Sequence, residues 1–195
     1  IEACGLDRPH VVGPDIGTSA ALFAAAARPD LIASVVIGSG GAAVPLRLTG
    51  PLADWVFSPD VDRWRTLDSR AIVAAALDTI GGEALPAEIR ADYLDSYAGD
   101  RFVESMRYVR SYPSELPKLA ERLPGIETAV QIIAGGRDAV VPLVNAEFLA
   151  ERLPRSRLTM VDAGHFVWEE APGEYASIVT DWVERVGARD APAVH

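Results

Sequence analysis

The sequence is poor in cysteine and in cations. Cys4 is the single thiol among 195 residues, so no internal disulfide can form and a disulfide-stapled scaffold is excluded. Lys and Arg number 18 against 28 Asp and Glu, a formal net charge of -10. That field repels phosphate backbones, and no nucleic-acid partner is expected. Long apolar runs are also missing. The alanine-rich stretch Ala20 to Ala27 is the longest and is far too short to span a bilayer, so no membrane partner is expected. No basic-then-apolar leader opens the chain, and the expected setting is the cytoplasm. Methionine is absent from the first position. Ile1 to Leu6 reads as the tail of a helix, and the chain is expected to be the rear portion of something longer.

What is present is globular: 49% hydrophobic and 24% charged residues, enough to bury a core. Pro9 to Gly13 and Ser34 to Gly38 are short β-branched runs ending at glycine, the pattern of buried strands. Gly17 to Ala27 lies between them as a small-residue helix suited to close packing on a sheet, and Arg28-Pro29-Asp30 ends it. Strand, helix, strand at this spacing is a βαβ unit with parallel pairing.

From about Pro45 to Pro124 the period turns helical, with candidate helices at Ser69–Ile80, Pro86–Tyr97, Arg101–Tyr112 and Glu115–Leu123. The sheet resumes with Val130–Ala134, a helix over Val144–Leu153, a strand over Arg157–Val161 and an amphipathic helix over Glu174–Val186. In that last helix Tyr175, Ile178, Val179, Trp182 and Val186 share one face. The tail from Gly187 to His195 reads as loose. The expectation is an α/β fold of about four mostly parallel strands, divided as residues 1–44 (core), 45–124 (helical insert) and 125–195 (core). The strand at Pro9 to Gly13 is left on an open edge.

Three loops directly after strands carry chemistry, and strand ends are where α/β sheets bind ligands. Gly13-Pro14-Asp15-Ile16-Gly17 has the form of a nucleophile elbow with aspartate in the usual serine's place. A carboxylate in the first turn of a helix is favoured by the local dipole and needs no base to become nucleophilic; taken alone, Asp15 reads better as a helix cap. Asp138 lies in Gly135-Gly136-Arg137-Asp138, and His165 follows Gly164 after the last strand. Ser19 reads as a packing residue and Ser39 as an ordinary loop residue.

Nucleophile or acid, then acid, then histidine, after successive strands, is the order of the α/β-hydrolases, and the chain resembles that superfamily over nearly its whole length. At the elbow it is most similar to the Asp-nucleophile branch, the epoxide hydrolases and the haloalkane and fluoroacetate dehalogenases, with the strands before the elbow lacking. The resemblance implies a triad of Asp15, Asp138 and His165 and an alkyl ester on Asp15. It also implies an oxyanion donor in the Ile16 N–H, a small-molecule substrate, and no cofactor or metal. Ile16 offers no halide donor. Trp55 and Trp64 carry indole N–H groups but read as core. Tyr112, with Tyr108 at i, i+4, would fill the place of the cap tyrosine that protonates an epoxide oxygen; Tyr93 and Tyr97 are further candidates. Epoxide opening is therefore expected ahead of dehalogenation. The reading from another class is a ligand-binding homologue without catalysis. The oligomeric state is left open.

Overall fold

The computed structural model describes residues 1–60, 62–81 and 85–190. Four strands, β1 (His10–Pro14), β2 (Ser34–Gly38), β3 (Ala129–Gly135) and β4 (Ser156–Val161), form one sheet in that order. All three pairings are parallel, with His10 opposite Ser34, Ser34 opposite Ala129 and Val130 opposite Ser156. The β-branched runs explain the strands, because such side chains fit a pleated surface packed on both faces. In β2 and β3 the alternation is explicit. Val35, Ile37, Val130 and Ile132 enter one core with Leu22, Ala25 and Leu149, whereas Val36, Ala129 and Ile133 enter a second with Trp182 and Val186.

Helices α1 (Gly17–Ala27) and α7 (Val144–Arg152) cover the first face, and α9 (Pro172–Asp190), which follows the short α8 (Val167–Glu170), covers the second. The face of α9 read from the sequence is the one that packs. The helix runs through Gly187 to Asp190 rather than loosening there, since one glycine costs a helix only about 1 kcal/mol; residues 191–195 lie outside the described residues.

The insert between β2 and β3 holds α2 (Gly50–Phe57), α3 (Ser69–Leu77), α4 (Ala87–Ser96), α5 (Arg101–Val109) and α6 (Tyr112–Arg122). Of these, α2 was not legible in the periodicity. The helix expected over Arg101–Tyr112 ends at Val109. Pro113 would have to donate to the Val109 carbonyl, and proline has no N–H to give. Tyr108 and Tyr112 therefore sit on different helices, their rings meeting edge to face at 5.9 Å. The insert packs in two parts. Val73, Leu77, Phe102, Val103 and Met106 form a core of their own, while Leu116 and Leu119 of α6 join the sheet core.

Asn145, 1% exposed, locks the start of the insert to α7. Its Oδ1 accepts from the N–H groups of Ala42 and Ala43, both at 3.0 Å. Its Nδ2 donates to the carbonyls of Arg47 and Pro142 at 2.9 and 3.0 Å. An Asn145→Ala change strands two buried N–H donors and is expected to cost roughly 2–4 kcal/mol. Urea unfolding should show a lower midpoint at unchanged slope.

Candidate active site

The elbow is built from β1, α1 and the end of β2. Asp15 holds φ at +52°, a left-handed conformation that costs a residue with a Cβ about 1–2 kcal/mol and that aspartate tolerates better than most. Its N–H donates to the Gly38 carbonyl at 2.8 Å, and its carbonyl accepts from the Thr18 N–H at 3.0 Å. Thr18 closes the turn, its hydroxyl donating to the Gly38 carbonyl at 3.0 Å. Tightness falls on Gly13 and Gly40. A Cβ on Gly13 would lie 2.8 Å from the Gly17 carbonyl oxygen, and one on Gly40 would lie 2.4 Å from that of Asp15. A Cβ on Gly17 would meet nothing within 4 Å, so close backbone approach demands glycine at Gly13 and not at Gly17.

The three sequence-derived residues converge. Asp138 Oδ2 lies 3.0 Å from His165 Nδ1, and Asp138 Oδ1 accepts from the N–H groups of Val140 and Val141 at 2.8 Å each. One carboxylate oxygen is thus spent on its own loop and the other orients the imidazole. His165 Nε2 faces Asp15 Oδ1 at 4.0 Å, with side-chain exposures of 10% and 44%. The separation exceeds hydrogen-bonding reach, yet one water can touch both atoms. Phe166 and Trp168 meet the imidazole edge to face at 5.1 and 6.4 Å.

Electrostatics differ from the dipole expectation. Loss of surrounding water, with the Asp138 charge, pushes the Asp15 carboxyl above its ordinary value, opposed by the nearby His165 and by the neighbouring Ile16 N–H. For His165, burial disfavours the imidazolium, but the hydrogen bond and charge of Asp138, then the charges of Asp15 and Glu170, outweigh it and raise the pKa.

The tyrosines divide by role. Tyr108 does not present its hydroxyl to the elbow carboxylate: it donates to the Ile16 carbonyl at 3.1 Å and pairs with the Ser19 hydroxyl at 2.9 Å. Ser19, 3% exposed as a packing residue should be, also ties α1 to the insert through this bond. Tyr112 is buried, its ring close above Gly41. Burial first, and the Asp15 charge second, raise the pKa of both Tyr112 and Tyr97. Both phenols are thus held in their neutral form. Tyr93 is spent elsewhere: it donates to Glu169 at 2.7 Å and accepts from Trp168 Nε1 at 3.0 Å, and its hydroxyl is pushed up to about 12 by burial and Glu169. Trp55 and Trp64 stack edge to face at 6.3 Å and pack with the core of the insert.

Glu170 was missed by sequence reasoning. Its Oε2 accepts from the Gly164 N–H at 2.9 Å, whereas Oε1 is buried without a partner among the described residues. The carboxylate is wedged under the histidine loop. Glu170→Gln removes that negative charge and is expected to lower the His165 pKa. Carbon-detected titration of the histidine resonances measures it, and an unchanged midpoint would show that Glu170 serves only as a backbone acceptor.

A family model described as the alpha/beta hydrolase family matches residues 1–178. The chain belongs to that family. This alpha/beta hydrolase chain is 27% identical over 198 residues to 2-hydroxy-6-oxononadienedioate/2-hydroxy-6-oxononatrienedioate hydrolase 2 of Pseudomonas putida, with 94% of the chain and 65% of the relative covered. It is 40% identical over 62 residues to a pimeloyl-acyl-carrier-protein methyl ester esterase of Aromatoleum aromaticum, covering 31% of the chain and 25% of that relative. The crystal structure of an enol-lactonase from Burkholderia xenovorans superposes with a TM-score of 0.75 at 21% identity, over 94% of this chain and 68% of that one. The chain thus spans about two thirds or less of the length of these proteins. None of the three is named for an epoxide or a halide, so the expected Asp-nucleophile branch rests on the site alone. Among the described residues, no helix is long and apolar enough to cross a membrane.

Proposed function

We propose that this alpha/beta hydrolase uses Asp15 as its nucleophile and opens epoxides of small organic molecules. The observation that carries the reading is the 4.0 Å gap between the Asp15 carboxylate and His165 Nε2. A hydroxyl nucleophile must hydrogen-bond its base to lose a proton; a carboxylate has none to lose and leaves the base free for water. Asp15 Oδ attacks a ring carbon, the C–O bond breaks, and the phenol of Tyr97 or Tyr112 gives its proton to the departing oxygen. The product is a hydroxyalkyl ester on Asp15. His165, oriented by Asp138, then takes a proton from water, and the resulting hydroxide attacks the Asp15 carbonyl carbon. The Ile16 N–H, next in the chain to Asp15, stabilises the oxyanion that forms. Release of the diol frees the carboxylate, and the imidazolium proton returns to the tyrosinate.

An alkyl halide would form the same ester, but Ile16 brings no side-chain donor for a leaving halide. His165→Gln separates these readings. With the second step blocked, exposure to styrene oxide should leave the intact protein heavier by one epoxide, the mass localised to the elbow peptide. An adduct from alkyl halides alone assigns dehalogenation. Hydrolysis of esters or lactones by the wild-type chain, with no adduct on the variant, would remove Asp15 from the nucleophile's role.

A further inference from the structure

The hydrolytic loops occupy the C-terminal ends of the strands. At the opposite end, where β3 and β4 begin, lies a hollow of about 350 Å³ bordered by Arg155, Arg157, Arg185, Ser156, Trp182 and Val186. The local sequence dictates this convergence. Arg155 lies in the turn that leads into β4 and Arg157 is the second residue of that strand; Trp182, Arg185 and Val186 are three and four apart on α9 and share a face. Among the described residues, no carboxylate lies within 4 Å of any of these guanidiniums; Arg8, Arg47, Arg63, Arg101, Arg110 and Arg122 also lack one, but no three of those border one hollow with an indole, whereas Arg28, Arg65, Arg70, Arg90, Arg107, Arg137 and Arg152 are paired. Three like charges are gathered without countercharge on a protein of net charge -10.

The floor is apolar and fixed. Trp182 is 8% exposed, and its Nε1 donates to the Ser34 hydroxyl at 3.1 Å, which pairs in turn with His10 Nδ1 at 2.7 Å. Arg155 is partly tied down through its bond to the Glu127 carbonyl at 3.0 Å. Arg157 and Arg185 keep their donors free among the described residues.

We propose that this hollow is a second binding site, one that takes a small aromatic carboxylate. The guanidinium forks take the oxyanion, for which their planar geometry is suited. Val186 and the indole take the flat apolar body. The size is in the range of small-molecule sites, and nothing in the assignment depends on Asp15 being a nucleophile.

The test is a titration of the nitrogen-15-labelled chain at low salt with benzoate, benzamide and inorganic phosphate, following the Trp182 indole N–H (assigned through Trp182→Phe). Benzoate should move that resonance saturably and benzamide should not. Arg157→Gln/Arg185→Gln, with the rest of the spectrum unchanged, should weaken benzoate by at least about tenfold, as loss of charge-assisted bonds implies. Asp15→Asn should bind benzoate as the wild type does, which separates this site from the hydrolytic one. Equal responses to benzoate and benzamide, no saturable response, or an unaltered affinity in the double variant overturns the proposal. So does phosphate binding as tightly as benzoate, because the aromatic body then contributes nothing.

Discussion

Asp15→Asn is expected, on the nucleophile's role proposed for Asp15, to lower turnover by about 10⁴-fold or more, since a neutral amide is a poor nucleophile. The same variant should be modestly more stable at neutral pH, since partial burial opposes the charge on Asp15 while solvent at the 44% exposed side chain screens part of that penalty. The pH dependence follows from the carboxyl's raised pKa. A folded-state value above the ordinary 3.8 means that ionisation is harder in the native protein than in the unfolded chain. The penalty is absent below that ordinary value. It grows as pH rises through the folded-state pKa and is complete above it. The stability advantage of asparagine should therefore vanish in acid and persist at neutrality. Thermal unfolding across pH measures this, and a pH-independent gain would assign it to something other than charge. Asparagine is the right probe because it tolerates the +52° φ of the elbow. Alanine at the same place should forfeit roughly 1 kcal/mol of the gain through backbone strain.

Gly135→Ala should cost 3 kcal/mol or more, on the order expected for a forced backbone clash in a packed core. Its Cβ would lie 1.9 Å from the Gly164 carbonyl oxygen and 2.8 Å from that of Ala163. These are backbone atoms and cannot swing aside. Relief requires prising the loop after β4 from the loop after β3, which are joined by Gly136 N–H to Val161 O at 2.8 Å and Arg137 N–H to Ala163 O at 2.9 Å. The Asp138–His165 contact crosses the same seam, so activity should fall even at temperatures where the variant remains folded. Gly136→Ala is the control. The nearest atom to its Cβ is 3.5 Å away, an ordinary contact, and both stability and activity should be close to wild type. A Gly135 variant that melts with the Gly136 variant would mean the two loops are looser than their hydrogen bonds indicate.

Local sequence is most reliable here where one element decides its own fate. The β-branched runs specified all four strands to within a residue or two. The alanine-rich α1 and the striped face of α9 were legible because periodicity is a property of the segment itself. The insert was harder. Its break after Val109 depends on a carbonyl four residues before Pro113, and reading Arg101–Tyr112 as continuous placed two tyrosines on one face that belong to separate helices.

The chain by itself determined that Asp15, Asp138 and His165 follow parallel strands, because parallel strands end on the same side and deliver their loops to one place. Only the tertiary structure decided the distances among them, the bond that commits Tyr108 to the backbone, the burial of Tyr112, and the lodging of the Glu170 carboxylate against the histidine loop. Those relations join residues tens of positions apart, and what sets them is how helices pack on the sheet and which polar groups lose their water, neither of which is written in the pattern of any one segment.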